Sequence, residues 1–223
     1  MADADTAAES VSRALERIAV VEDRLDHLDT RVVGGHRPIA NPAPLGLFAF
    51  GLTTLMLNLV NAGLVERNTT ALVLGYGIFF GGLCQLIAGM WEFARNNTFA
   101  ATAFTAYGAF WMGFAFWHIL ADNGALSTGA TFQDGLAAIL AAWGLFTALM
   151  FVGTLKLSRA LQAVFGTLAL LFFLLAAGEY STTVHRIAGW EGILCAATAI
   201  YTGWALVVNE LWQRPALPLG EPR

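Results

Sequence analysis

Inside an otherwise apolar run, Phe50, Thr54, Asn58 and Asn61 recur at intervals of 4, 4 and 3 residues, which stacks a ring, a hydroxyl and two amides on one helical face. Three further series have helical spacing. Glu191, Cys195, Thr198, Thr202 and Asn209 lie near the end of the chain, Thr98, Thr102 and Thr105 run beside an aromatic stripe of Tyr107, Trp111 and His118, and Gly81, Gln85, Gly89 and Glu92 form the last. Hydroxyls and amides with no nucleophile–base pair among them do not make or break bonds. They exchange hydrogen bonds with a small neutral or singly charged solute that is bound weakly and released, as permeation requires. The same groups can serve as hydrogen-bonded seams between helices, and stripes on several helices at once favour a lined path.

Other chemistries lack their residues. The apolar segments have no Lys or Arg at mid-span, no His pair, no Walker loop, no Gly-x-Ser-x-Gly and no Cys cluster, so no enzyme, cofactor or metal is expected. Cys84 and Cys195 fall within apolar segments without a second ligand nearby and read as reduced packing cysteines. Three acids, Glu92, Glu179 and Glu191, sit in or at the edge of these segments. Each can reach the interface or pair locally, Glu92 with Arg95 for instance. A buried one would be a candidate proton carrier.

The elements that must position these residues are membrane helices. The chain has 223 residues, 57% hydrophobic and 13% charged, too apolar for an ordinary soluble domain. Six apolar segments, near 44–64, 71–91, 99–120, 134–155, 160–180 and 188–211, are each long enough to supply the roughly 20 residues that a helix needs to cross about 30 Å of hydrocarbon. None alternates as a barrel strand would. The expectation is an all-α protein with six transmembrane helices, a charged N-terminal helix over 1–36, a permease domain over 37–212 and a tail over 213–223.

Asn41-Pro42-Ala43-Pro44-Leu45-Gly46-Leu47 opens the first segment. Pro42 and Pro44 have no amide donors and suit a first turn, where those donors would be unpaired anyway. The amides that remain, with the helix dipole, make this entrance mildly attractive to an anion.

Charge sets the orientation. Arg13, Arg17, Arg24, Arg31, Arg37, Arg95, Lys156, Arg159, Arg214 and Arg223 fall on the side of the termini, and only Arg67 and Arg186 on the other, which places both termini in the cytoplasm. No cleavable leader is visible in the charged first 36 residues. Residues 11–32 carry heptads with Val11, Ile18, Leu25 and Val32 at a and Ala14, Val21 and Leu28 at d. Arg17 and Arg24 at g can face Glu22 and Asp29 at e of a parallel partner. Self-association and an amphipathic helix lying on bilayer or protein both fit this pattern. Acidic residues outnumber Arg in this region, against binding to anionic lipid.

The membrane domain resembles the acetate uptake transporter family, the acetate/succinate permeases of microbes. The matching residues are Asn41 to Leu47 with Phe50 behind them, Gly81-Gly82 through Glu92, Asn97-Thr98-Phe99, Ala103 through Trp111, Phe151 through Lys156, and Ala188-Gly189-Trp190. The resemblance implies a six-helix protomer that assembles as a hexamer in the plasma membrane, with one pore per protomer for acetate and, in some members, succinate. Members are described both as channels and as proton-coupled carriers. It also implies a constriction formed by Phe50, Tyr107 and Leu168. The path is expected to pass Thr54, Asn58, Asn61, Thr102, Thr105 and Trp111 beyond an entrance at Asn41, Pro42, Pro44 and Gly46. Glu92, Glu179 and Glu191 are the candidates for proton coupling, and the last two stand where neutral residues are expected.

Expected partners are the solute, the bilayer and further copies of the chain, with no nucleic acid. Two other readings stay open on the residues alone. One is a channel for a neutral amide such as urea, since no fixed cation within the spans demands an anion. The other is a membrane sensor or scaffold that signals through its N-terminal coil.

Overall fold

A computed structural model describes residues 17–22 and 39–220. The chain divides into two compact units, Met1–Ala40 and Asn41–Arg223. In the first, residues 17–22 are helical. The rest of the heptad series, with the Arg24 and Asp29 pair, lies outside the described residues.

The second unit holds six helices long and apolar enough to cross a membrane: α1 (Ala43–Asn61), α2 (Arg67–Ala94), α3 (Thr98–Asp122), α4 (Ala130–Thr154), α5 (Arg159–Gly178) and α6 (Thr182–Leu211). They coincide with the six apolar segments, with most ends extended. The largest shift is at α6, which starts at Thr182 because the Ser181 hydroxyl accepts from the Val184 amide and caps two polar turns that hydropathy alone passes over.

The surface pattern is inverted relative to a soluble protein. Leu72, Phe79, Leu149 and Phe116 are 71%, 66%, 66% and 64% exposed, while Thr53, Thr54, Asn58, Gln85, Glu92, Thr147, Thr154 and Thr202 are buried. Large apolar side chains outside and hydrogen-bonding groups inside suit a bilayer, where every polar group must turn toward protein or a water-filled cavity. The protein is a multi-pass membrane protein.

Neighbouring helices pack where side chains are small. α1 lies along α6, α6 along α5, α5 along α4, and α2 along α3. A Cβ on Gly192 of α6 would overlap the Asn58 amide of α1, and one on Gly46 of α1 would come within 2.7 Å of the Phe104 ring of α3. Between α3 and α4 contact passes mainly through aromatic rings, with Tyr107 and Phe110 on Trp143 at centroid distances of 5.8 and 5.1 Å.

α2 is not a uniform helix. It opens with a tight 3-10 turn over Arg67–Thr69 and widens into a π-helical segment over Phe79–Cys84. Gly81 and Gly82 lie inside that segment, where a Cβ would stand 2.8 Å from the Thr53 hydroxyl and 2.6 Å from the Gly77 carbonyl, respectively. A π turn holds more residues than an α turn, so it re-phases the face presented by everything after it, starting with Gln85.

Because successive spans alternate in direction, α1, α3 and α5 run parallel. Their N-terminal ends share one face, here the terminal face, with the end of α6 and the connections 95–97 and 155–158. The far face carries 62–66, 123–129 and 179–181.

Candidate functional site

Two cavities enter the bundle from opposite faces. The terminal-face cavity, about 530 Å³, is lined by Asn41, Arg95, Asn97, Lys156 and Ser158 over a floor that includes Leu47, Phe104 and Phe165. The far-face cavity, about 650 Å³, is lined by Asn61, Arg67, His118, Asp122, Glu179 and His185 together with Leu57, Phe114 and Leu175. Between them is a neck of about 20 Å³ bounded by Phe50, Gln85, Tyr107 and Leu168, with Leu47, Ala103, Phe104 and Phe165 shared with the terminal cavity. That space suits about one water molecule.

Helical spacing explains why the three compartments align. Leu57, Phe114 and Leu175 each lie seven residues beyond Phe50, Tyr107 and Leu168, so they occupy the same faces of α1, α3 and α5, about 10 Å further along. Leu47 and Phe165 lie three residues before Phe50 and Leu168, on the terminal side. Three parallel helices thus present one continuous face from cavity to neck to cavity.

The neck is aromatic and nearly dry. The Phe50 ring is 5% exposed, its centroid 6.0 Å from that of Tyr107. Tyr107 is also packed by Trp143, Phe146, Phe165 and Phe172. Its hydroxyl lies 2.9 Å from Thr147 Oγ1, which itself donates to the Trp143 carbonyl at 2.7 Å. With the threonine hydrogen so committed, Tyr107 is the donor of the pair, and its hydrogen is not offered to a solute. The polar group that does face the neck is Gln85, 1% exposed, with Oε1 lacking any partner. Its place in the Gly81–Glu92 series was visible in the sequence. What turns it into the neck is the π segment, for which the only sequence signal is the Gly81-Gly82 pair.

The other expected path residues separate into groups. Asn61 lines the far cavity, with Nδ2 donating to Asn58 Oδ1 at 3.2 Å and Oδ1 3.2 Å from His185 Nε2. Asn58 donates to the Thr54 carbonyl at 2.9 Å and packs on Gly192, while the buried Thr54 hydroxyl has no partner. Thr102, Thr105 and Trp111 line neither cavity nor neck. Thr105 fits against Gly89 and Trp111 against Gly77, both in the α2–α3 seam.

At the entrance, Asn41 Oδ1 accepts from the Ala43 amide at 3.1 Å and from Arg95 Nη1 at 2.8 Å, and the Gly46 amide donates to the Pro42 carbonyl. Most first-turn donors of α1 are therefore absent or occupied. Attraction for an anion here comes from Arg95 and Lys156 rather than from free amides. Pro42, Pro44 and Gly46 are buried and shape the entrance.

Of the three acids, Glu92 is buried, accepts from Asn97 Nδ2 at 2.9 Å through Oε2, and leaves Oε1 without a partner. Its hydrogen-bond partner is Asn97, because the Arg95 guanidinium turns to Asn41. Glu191 is half-buried with both carboxylate oxygens unpartnered and lines neither cavity. Glu179 ends α5, lines the far cavity, and accepts from Gln133 Nε2 through its backbone carbonyl. Partial burial pushes the Glu179 carboxyl above its usual range.

The profile of the GPR1/FUN34/yaaH family matches residues 31–219. A protein of Escherichia coli K12 named succinate-acetate/proton symporter SatP is 44% identical over 84% of this chain and 98% of its own length. A protein of Emericella nidulans named acetate permease A is 37% identical over 78% of this chain and 63% of its own. A solved structure described as the bacterial acetate channel SatP superposes with a TM-score of 0.77 at 43% identity, covering 82% of this chain and 99% of that one.

Proposed function

Because the chain belongs to the GPR1/FUN34/yaaH family, we propose that it is a membrane permease or channel for acetate and similar short carboxylates, with one path in each protomer. The observation that carries this reading is the pair of cavities joined end to end by the Phe50–Gln85–Tyr107–Leu168 neck. Arg95 and Lys156 line the terminal cavity with no carboxylate among the described residues of its lining, which gathers small anions at that mouth. A neutral amide such as urea would gain nothing from those cations.

The neck treats charge differently from the mouth. An apolar passage of one water's volume penalises a bare carboxylate heavily, whereas the Gln85 amide supplies a donor and an acceptor side by side, the complement of a carboxylic acid. The solute therefore crosses the neck protonated and carries one proton with it. The rings of Phe50 and Tyr107 and the Leu168 side chain admit small acids and hold back longer ones, succinate being at the upper end. Glu179, on the far cavity wall, is the acid best placed to hand over the proton, ahead of Glu92 and Glu191.

Labelled acetate uptake into proteoliposomes, with and without an imposed pH gradient, tests this reading. Uptake should be saturable and accelerated by an inward proton gradient. Faster uptake of labelled urea than of acetate would overturn it.

The remaining features belong to the same proposal. The Lys/Arg bias supports both termini in the cytoplasm of a cell whose plasma (inner) membrane holds a homo-hexamer of this chain, with the heptads of residues 11–32 as a self-associating coil. A peptide over residues 8–34 that stays monomeric and equally helical at all concentrations would remove the coil.

A further inference from the structure

After α6 the chain turns back on the bundle. Gln213 adopts a left-handed backbone (φ 52°), and residues 217–220 then cross the terminal ends of α5 and α6. Five hydrogen bonds fix them. Asn209 of α6 uses both halves of its amide on Leu217, with Nδ2 donating to the carbonyl and Oδ1 accepting from the amide, each at 2.8 Å. Tyr201 of α6 donates its hydroxyl to the Pro218 carbonyl at 2.8 Å. The Arg159 and Ala160 amides, first in α5, donate to the Gly220 and Leu219 carbonyls at 2.9 and 3.0 Å. The crossing ends on Gly220, whose φ of +67° suits glycine and where a Cβ would stand 2.6 Å from that of Arg159.

The segment also separates two spaces. On one side Leu219 lines the terminal cavity with Thr202 and Leu206. On the other, Leu219 and Thr202 border a lateral groove of about 460 Å³ walled by Ala160, Ala163 and Ala197. The α5–α6 seam is built here from small residues, and the returning backbone fills it.

We infer that residues 217–220 are a wall of the transport path: Leu219 is a vestibule residue that bounds the solute, and Asn209 is the positioning residue that holds it there. The inference rests on the path proposed above. Capping the first turn of α5 also fixes the helix that brings Leu168 to the neck, so loosening Asn209 should relax size selection as well as the mouth. Asn209 belonged to a polar stripe of α6 whose spacing alone suggested a path-lining amide. It serves the path at one remove, through the backbone it binds.

The test is Leu219→Cys in proteoliposomes, with acetate flux measured before and after complete modification by a charged methanethiosulfonate, and with the parent chain and exposed Pro215→Cys treated identically. Modification should cut flux by about fivefold relative to the same protein before modification, and in Leu219→Cys alone, because a charged group would then stand in the mouth. Asn209→Leu should raise the butyrate-to-acetate flux ratio about threefold while the protein remains assembled, a change that a purely stabilising bond would not produce. Unchanged acetate flux after full modification of Leu219→Cys, in vesicles where the parent transports, overturns the wall alone. Absence of acetate flux in the parent overturns the path on which it rests. Should Leu219→Cys not assemble, the Asn209→Leu ratio decides, and an unchanged ratio in assembled protein overturns the inference.

Discussion

The two mouths of the proposed path have similar volumes and different electrostatic characters. At the terminal face, Arg95 and Lys156 stand with no carboxylate among the described lining residues, and α1, α3 and α5 all direct their N-terminal ends toward it. At the far face, Arg67 is mixed with the carboxylates of Asp122 and Glu179 and with the imidazoles of His118 and His185. The difference teaches that one mouth holds a standing attraction for anions, while at the other cation and carboxylates offset one another and the balance depends on the proton of Glu179. Among the described residues none that lines the neck is charged, and water and salt in each mouth screen its charges from the other side. Mutations should therefore act on one compartment at a time.

The largest effect is expected at the neck itself. Gln85→Leu removes the amide whose Oε1 is unpartnered and should lower acetate flux by about tenfold or more with assembly intact on size-exclusion chromatography. Full activity would show that the solute needs no polar partner there.

Next in size are the mouths. Lys156→Gln combined with Arg95→Gln should reduce flux about fivefold at low ionic strength and much less at high salt, because steering by exposed charges is screened. Arg67→Gln should cost less, since that mouth is already of mixed sign. Equal losses at both mouths would erase the contrast between them.

Glu179→Gln should act mainly through pH. Burial raises this carboxyl, so in the parent it gains its proton at a higher pH than a free glutamate, and falling pH removes a negative charge from the far mouth. Acetate flux in the parent should rise as pH falls through that raised value, and the Gln variant should lose that component. Stability has the matching sign. A carboxyl with a raised folded-state value favours the fold below the ordinary glutamate range, and that contribution is lost as pH rises through the raised value. Melting temperature against pH should be flatter in Glu179→Gln, and an unchanged slope would contradict the assignment.

The smallest effect is expected at α3. Thr102→Val and Thr105→Val should alter flux by less than about twofold, because neither lines a cavity or the neck. A larger loss would return these hydroxyls to the path.

How much of this was legible in the sequence differs by level. The six helices follow from hydropathy and length, and the largest shift of an end is at the polar turns capped by Ser181. Phe50, Tyr107 and Leu168 came from family resemblance, and spacing added their shared faces. Polar stripes were the weakest guide. A Thr or Asn in a helix can bond a carbonyl three or four residues back, as Thr198, Thr202 and Asn58 do here, so the spacing that marks a path also marks a side chain folded onto its own helix. The roles of Gln85 and Tyr107 depend on tertiary facts: a π segment that re-phases α2, and a threonine on α4 that takes the tyrosine's hydrogen.

The central claim is a single path whose width is set by Phe50, and the most direct measurement is the ratio of butyrate to acetate flux through Phe50→Ala in proteoliposomes. The account expects that ratio to rise about fivefold or more with acetate flux maintained or increased, and smaller rises in Tyr107→Ala and Leu168→Ala. If all three variants assemble and leave both rate and ratio at the parent values, the solute passes elsewhere and the account is wrong.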